Sequence, residues 1–412
     1  MKLKYLFTLS LAGLLAVNVS AQKIRIKTGI EVLKEQNFKI LEGKRVGLIT
    51  NPTGVDNDLK STIDILHEAK NVKLVALFGP EHGVRGDVHA GDHVDNSNDP
   101  STGVPVYSLY GKTRKATPEM LKDIDVLVYD IQDIGCRSFT YISTMGLAME
   151  AAAENNIEFV VLDRPNPVNG LKIEGNVVED GYYSFVSQFK IPYVYGLTCG
   201  ELAMMLNNEN MLKKQCKLHV VKMKGWKRKM DYTQTGLQWV PASPHIPHAH
   251  SAEFYPVSGI LGELGYMSIG VGYTIPFQMF AAEWIKADEF AAKMNSLNLP
   301  GIKFRPIHLN PFYAVGQGKN LQGVQVHITD YKKAALSEIQ FYIMQEVAEL
   351  YPDKAVFNNA DNKRFNMFDK VSGSDQIRLR FAKNNRFEDI KDYWYKDVES
   401  FKKLSKKYYL YK

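Results

Sequence analysis

The first half of the chain alternates short apolar runs with segments of helical periodicity. Arg45 to Thr50 is apolar and ends at Asn51-Pro52, and apolar residues then recur at helical spacing from Leu59 to Ala69. The later predictions are strands over 72–78, 124–131 and 157–163 and a helix over 141–154. Buried strands separated by helices are typical of a parallel sheet covered on both faces. We predict an α/β fold with a Rossmann-like domain over residues 22–210.

The pattern changes near residue 210. The elements predicted around and after it are helices over 197–206, 281–297 and 335–351 and strands over 217–223 and 323–329. Residues 239–272 are rich in Pro, Gly, His and aromatic residues and show little periodicity, which predicts a long ordered loop. These elements predict a second, smaller α+β domain over residues 211–412, without internal repeats or a low-complexity linker between the two.

The first 21 residues predict a cleaved signal peptide. Lys2 and Lys4 precede an apolar stretch over 6–17, and Val19-Ser20-Ala21 is a small-residue cleavage site. We therefore expect a periplasmic or secreted protein. No later stretch is apolar for the 18 or more residues that a membrane-spanning helix needs, so we expect no membrane insertion.

The three cysteines, Cys136, Cys199 and Cys216, are an odd number for an oxidising compartment. We expect them to be buried thiols. One disulfide, or a catalytic role for Cys136, is the alternative.

Charge and motifs exclude several classes of function. A net charge of +6 over 412 residues is too small for a chain whose main partner is nucleic acid. No G-x-G-x-x-G or phosphate loop follows the first strand, so we expect no nucleotide cofactor. The histidines at 82, 89, 93, 245, 248 and 250 offer metal ligands, but no H-E-x-x-H or cysteine pair accompanies them, and we expect no metal.

Polar residues follow the predicted strands, where the crevice of an open parallel sheet binds ligands. The candidates are Asn51 after the first strand, Glu81, His82 and Arg85 after the second, Asp130, Gln132, Asp133 and Arg137 after the third, and Asp163, Arg164 and Asn166 after the fourth, with Tyr141 and Glu174 beyond them. Helix capping, turns and ion pairs explain any one of these residues equally well. Together they predict a site at the rim of the sheet.

Glu81 and His82 are the strongest catalytic candidates. Gly79, Gly83 and Gly86 let the backbone bend around them, and a carboxyl group held against apolar neighbours has the raised pKa that a proton donor needs. We expect Glu81 to be a general acid, with His82 to orient it. The alternative is an ion pair between Glu81 and Arg85, which would lower the pKa of the carboxyl group.

Six stretches of the chain match a known family in order, namely 77–86, 102–111, 130–137, 161–167, 197–202 and 225–228. The first, third and fourth are long enough and ordered closely enough to exclude chance. Together they resemble the NamZ-type exo-β-N-acetylmuramidase family. The resemblance implies a Rossmann-like domain joined to a smaller C-terminal domain, with the active site in the cleft between them. It also implies release of N-acetylmuramic acid from non-reducing ends of peptidoglycan fragments, and a catalytic glutamate at position 81.

One segment departs from the family pattern. Many members have Ser-Glu-Gly-Arg-Gly-Thr where this chain has Ser268-Ile269-Gly270-Val271-Gly272-Tyr273-Thr274. Ile269 and Val271 replace the glutamate and arginine, whose roles are then absent or moved, for example to Glu263.

Glycoside hydrolysis needs a second carboxylate or a substrate group beside the acid. Asp130, Asp133, Asp163, Glu174 and the acetamido group of the substrate remain open for this role. The lactyl carboxylate of muramic acid calls for an arginine, and Arg85, Arg137 and Arg164 are the candidates. A non-catalytic cell-wall or solute-binding protein and a metal-dependent hydrolase are the competing hypotheses.

Overall fold

The computed structural model describes residues 25–86 and 97–412. The predicted signal peptide lies outside these residues. Within the two described stretches, no helix has the length and apolar character needed to cross a membrane.

The first half of the chain forms a seven-stranded sheet flanked by helices. Its elements are α1 (Gly29–Glu35), β1 (Arg45–Thr50), α2 (Thr62–Glu68), β2 (Lys73–Gly79), β3 (Ser97–Asn98), β4 (Pro105–Ser108), α3 (Pro118–Leu121), β5 (Val126–Asp130), α4 (Tyr141–Glu154), β6 (Glu158–Leu162), α5 (Cys199–Asn208) and β7 (Leu218–Val221). The strand order is β3-β4-β2-β1-β5-β6-β7, and every neighbouring pair except β3–β4 is parallel. The predicted parallel α/β fold is confirmed.

Both faces of this sheet are buried, which explains its continuous apolar strands. In β5, Val126 and Val128 pack into one apolar cluster with α1 and α2, whereas Leu127 and Tyr129 point into a second cluster with α4 and α5. Side chains alternate between the faces of a strand, so each face has its own helices to cover it.

The second half combines a three-stranded antiparallel sheet with helices. Its elements are α6 (Ala249–Gly262), β8 (Met279–Ala282), α7 (Ala287–Ser296), β9 (Ile302–Leu309), β10 (Leu321–Ile328), α8 (Ile339–Leu350), α9 (Val356–Asn359), α10 (Phe365–Ser372), α11 (Gln376–Asn384), α12 (Glu388–Tyr395) and α13 (Val398–Ser405). The strand order is β8-β10-β9. The predicted smaller α+β part is confirmed.

Two predictions for the middle of the chain differ from the structure. The predicted loop over 239–272 is wrong in part, because it contains the 14-residue helix α6. This helix is buried on most sides and includes Pro256, so it has neither the polar stripe nor the composition by which a surface helix is recognised. The second difference is the predicted domain boundary at residue 210. The strand predicted over 217–223 forms as β7, but it pairs with β6 and so belongs to the sheet of the first half.

The three cysteines are free and buried, as predicted. Burial raises the pKa of Cys136 to about 12, which is the opposite of what a thiolate nucleophile needs.

Arg137 is a buried polar connection between the two halves. Its guanidinium donates to the backbone oxygens of Asn176 and Ile191 at 2.7 Å and to that of Val371, in α10, at 2.9 Å. It also donates to Ser187 Oγ at 3.1 Å. Burial lowers the pKa of Arg137 to about 10, so the hydrogen bonds must offset a desolvation cost.

We predict that Arg137→Met lowers the free energy of unfolding by about 3–5 kcal/mol, because its carbonyl partners would stay buried without a donor. Urea unfolding followed by tryptophan fluorescence measures the change. Arg25→Met is the control, since Arg25 forms an exposed ion pair with Asp58 and its loss should cost less than about 1 kcal/mol. Equal effects of the two variants would contradict the structural role of Arg137.

Candidate active site

A cavity of about 740 Å³ lies between the two halves, within the size range of small-molecule sites. The first half contributes the loops that follow β2, β4 and β5 and the start of α4. The second half contributes α6, α10 and the loop between β9 and β10. The polar residues that line the cavity are Glu81, His82, Tyr110, Arg114, Ser138, Thr140, Tyr141, Ser184, Ser243, His245, Tyr255, Glu263, Arg364 and Lys370.

A strained turn after β2 presents Glu81 to this cavity. The turn is closed by a hydrogen bond from Gly83 N to Pro80 O at 3.0 Å. His82 has φ of +73° and Gly83 φ of +75°, both in the left-handed region. This conformation is uncommon for a residue with a side chain, although histidine adopts it more readily than most, and here it forms the tight turn that carries Glu81. Glu81 and His82 therefore occupy the position that the sequence predicts.

Two hydroxyl groups hold the Glu81 carboxyl group. Thr140 is the N-cap residue of α4, but its hydroxyl forms no capping bond and donates to Glu81 Oε2 at 3.0 Å. The Tyr110 hydroxyl lies near the same carboxyl group, and burial, with a contribution from the Glu81 charge, raises the pKa of Tyr110.

Glu263, directly after α6, brings a second carboxyl group to the cavity from the other half. Burial raises its pKa, although the nearby Arg364 opposes the shift. Arg364 Nη1 donates to the backbone oxygen of Glu263 at 3.1 Å, which holds the guanidinium beside the end of α6. The two carboxyl groups thus differ in surroundings.

Tyr255, in α6, lies near both carboxyl groups. Its pKa is raised, mainly by burial, and the charges of Glu263 and Glu81 contribute to the shift. Ser138 donates a hydrogen bond to the Tyr255 hydroxyl at 3.2 Å, which ties α6 to the loop after β5. The cavity therefore holds Glu81 and Glu263 within electrostatic range of one phenol.

Only Glu81, His82 and Tyr141, of the residues predicted for the site, line the described cavity. Asp130 and Arg164 form a buried ion pair, with Arg164 Nη2 and Asp130 Oδ2 at 2.9 Å. Thr62 donates to the same aspartate, and Arg164 donates to Val55 O. Arg85 is paired with Asp99 at 2.7 Å rather than with Glu81.

Predicted amide side chains stabilise the strand-end loops. Asn51 Oδ1 accepts from Thr53 N at 3.0 Å, and Gln132 Nε2 donates to Pro165 O at 2.7 Å. Asn166 Nδ2 donates to Leu197 O at 2.9 Å. These bonds satisfy backbone groups that the turns would otherwise leave without a partner.

Three of the predicted second carboxylates lie in buried hydrogen-bond networks. Asp133 accepts from Gly135 N and the Tyr195 hydroxyl, and burial raises its pKa to about 6. Asp163 accepts from Gly200 N and the Tyr411 hydroxyl, and burial raises its pKa to about 7. Glu174 accepts from the backbone nitrogens of Leu336 and Ser337. A raised pKa alone does not mark the site, since none of these groups lines the cavity.

Arg137 and Arg164, which the sequence suggests for the lactyl carboxylate, have buried guanidinium groups bonded within the protein. The cations that do line the cavity are Arg114, Arg364 and Lys370. Sequence reasoning missed these three, as well as Thr140 and Tyr255. Tyr110 lies inside the matching stretch 102–111, but the others carry no local motif. Ile269 and Val271 also line the cavity, so their positions give an apolar wall.

The described residues contain no group of three or more His, Cys, Asp or Glu side chains that could hold a metal ion. His245 is hydrogen-bonded to the Tyr313 hydroxyl and His250 to Glu253. His89 and His93 lie outside the described residues.

Comparisons with known proteins agree with the geometry. Two protein-family sequence models match the chain. The model described as exo-beta-N-acetylmuramidase NamZ, N-terminal, matches residues 46–250, and the model described as exo-beta-N-acetylmuramidase NamZ, C-terminal, matches residues 253–411. The chain is 46% identical over 394 residues to the peptidoglycan beta-N-acetylmuramidase NamZ of Bacillus subtilis, covering 96% of this chain and 93% of that protein.

Two crystal structures of DUF1343 family proteins from Bacteroides fragilis have the same fold. The first is 79% identical with a TM-score of 0.92 and covers 94% of this chain and 100% of its own. The second is 29% identical with a TM-score of 0.75, and the match covers 94% of this chain and 99% of that protein. From the two family models and the full-length relative, the chain belongs to the NamZ family of exo-β-N-acetylmuramidases.

Proposed function

We propose that the chain is an exo-acting glycoside hydrolase that releases N-acetylmuramic acid from the non-reducing ends of peptidoglycan fragments. The observation that carries this proposal is the pair Glu81 and Glu263, which face one cavity of small-molecule size from opposite halves of a NamZ-family chain. Two carboxyl groups in different surroundings are the usual equipment for cleaving a glycosidic bond.

The surroundings of the two carboxyl groups favour a division of roles. Glu263 carries the proton and protonates the leaving oxygen, because burial raises its pKa and a general acid must hold its proton near the working pH. Glu81 acts as the second carboxyl group, on the other side of the cavity, where the Thr140 hydroxyl donates a hydrogen bond to it. The prediction from sequence, in which Glu81 is the general acid, is the alternative assignment that the kinetic experiments below distinguish from this one.

The lactyl carboxylate of muramic acid finds its partner in Arg114. The Arg114 guanidinium lies 4.4 Å from the ring centre of Phe185, another cavity residue, and this stacking orients it. An arginine binds a carboxylate through two parallel hydrogen bonds, which an amino sugar without the lactyl group cannot accept. Arg364 and Lys370 add positive charge to the opposite wall.

A periplasmic or secreted location agrees with this substrate. The positive and apolar segments before Ala21 support export, and the peptidoglycan layer lies outside the cytoplasmic membrane. A receptor that only binds sugars has no need for two carboxyl groups in one cavity, one of them with a raised pKa, so the geometry favours the enzyme.

Substrates whose leaving groups differ in their need for a proton distinguish the general acid from the second carboxyl group. For the muramic acid–glucosamine disaccharide, we predict that Glu263→Gln lowers kcat by about 10²–10⁴-fold, the usual share of a general acid. For a 4-nitrophenyl glycoside, whose leaving group needs no proton, the loss should be less than about tenfold. Glu81→Gln should lower kcat by about 10²-fold or more on both substrates, because the positive sugar ring loses its carboxylate.

Glu253→Gln is the matched control, because Glu253 lies in α6 and pairs with His250 away from the cavity. Steady-state kinetics on folded variants, checked by thermal melting, provides the measurement. The opposite result would make Glu81 the general acid: Glu81→Gln would then lose less than about tenfold in kcat on the 4-nitrophenyl glycoside, and Glu263→Gln would lose activity on both substrates.

The pH profile of kcat/KM offers a second test of the division. The raised pKa of Glu263 keeps the acid protonated to higher pH than an ordinary glutamate, and activity should fall as pH rises through that pKa. In Glu263→Gln this alkaline limb should disappear, whereas Glu253→Gln should keep it. An unchanged limb in Glu263→Gln would show that another group carries the proton.

Substrate selectivity tests the role of Arg114. We predict that Arg114→Met raises KM for a muramic acid glycoside about 10-fold or more above its effect on the glucosamine analogue, because a hydrogen bond to a charged group contributes about 1.5–3 kcal/mol. Lys112→Met, in the same loop but outside the cavity lining, serves as the control. Equal losses on both substrates would remove Arg114 from lactyl recognition.

A further inference from the structure

Two exposed aromatic side chains lie in the loop between β9 and β10. Phe312 exposes 68% of its surface and Tyr313 exposes 48%. Large apolar side chains that stay exposed side by side often belong to a binding surface. The same loop continues into Ala314 and Val315, which line the cavity, so the aromatic pair stands at its edge.

The loop is held in one conformation by its contacts. Phe312 N donates to Gly272 O at 2.8 Å, and the Phe312 ring stacks on Tyr273 with centres 5.8 Å apart and planes 23° apart. Gly272 has φ of +89°, and a Cβ atom there would lie 1.9 Å from Tyr313 O. Only glycine allows this close approach, so the aromatic pair is preorganised rather than free to fold away.

Tyr313 is connected directly to the cavity wall. Its hydroxyl is 2.8 Å from Nε2 of His245, which lines the cavity, and the two rings are 5.9 Å apart with planes 33° apart. This contact places the Tyr313 ring beside the cavity wall, and about half of its surface is exposed there. Met367, exposed by 41%, lines the same cavity from α10 and adds another exposed apolar side chain to it.

We propose that Tyr313, with Phe312 beside it, binds the sugar that follows the terminal N-acetylmuramic acid, on the leaving side of the scissile bond. This inference rests on the proposed function, because an exo-acting enzyme encloses the terminal sugar and must let the rest of the glycan pass out of the cavity. The apolar C–H face of a pyranose ring fits the face of an aromatic ring, while its hydroxyl groups stay in water.

Binding rather than turnover tests this site. In a Glu81→Gln background, in which hydrolysis is expected to be about 10²-fold or more slower, calorimetry measures the Kd of free N-acetylmuramic acid and of the muramic acid–glucosamine disaccharide. We expect Tyr313→Ala to raise the Kd of the disaccharide about 3- to 10-fold, the range of one aromatic contact, and to change the Kd of the monosaccharide less than about 2-fold.

Two further variants serve as controls. Tyr313→Phe keeps the ring but loses the hydroxyl bond to His245, and it should bind the disaccharide within about 2-fold of the parent. Leu379→Ala removes an exposed side chain on α11 outside the cavity lining and should change neither Kd. A disaccharide Kd unchanged by Tyr313→Ala, or equal losses for both ligands, would overturn the proposal. So would a Tyr313→Phe variant that binds as weakly as Tyr313→Ala.

The results distinguish failure of the sugar-binding site from failure of the proposed enzyme activity. Disaccharide binding that depends on Tyr313, together with no hydrolysis by the wild-type protein, would reject the enzyme and keep the sugar site. Failure of the parent to bind either ligand would reject both.

Discussion

The fixed contact between the two halves is the constraint on which the site depends, because each half supplies one carboxyl group. A continuous apolar cluster runs from α4 to α6 and α8, so the halves share one core. Within it, Glu174 accepts two backbone hydrogen bonds from the residues before α8, and Lys172 donates to Ala334 O. Such directional bonds fix the register of an interface that apolar packing alone would leave free to slide.

Many polar residues at the strand ends do not face the cavity, because they are buried within the first half. Asp130 and Arg164 form an ion pair at the centre of the sheet, where β1, β5 and β6 end together. Their further hydrogen bonds, from Thr62 and to Val55 O, also stay within the first half, since buried polar groups must satisfy one another. Glu81 differs because the turn after β2 is bent in the left-handed region and turns its side chain outwards. Most of the polar side chains at the strand ends therefore stabilise the loops around the cavity and do not line it.

The elements that sequence predicts best are those with local signals. The strand Arg45–Thr50 and the helix Tyr141–Glu154 match their predicted bounds, because apolar periodicity defines them. Glu81 could be found from its Gly-flanked loop. Glu263 could not be placed with certainty, because its partner in the cavity is far away in the chain and α6 has no amphipathic stripe. Arg137 shows the opposite error: a strand-end arginine looks like a ligand, and only burial reveals that its donors are already used.

The last residues of the chain complete the first half of the fold. The Tyr411 hydroxyl donates to Asp163 at the end of β6, Leu410 N donates to Glu201 in α5, and the Tyr411 ring packs against Trp226. Glu201 in turn binds the buried Arg228. Synthesis must therefore reach the final residues before these early acidic groups acquire their full set of partners. The two halves are consequently poor candidates for separate expression or exchange between relatives, and they are expected to be inherited as a unit.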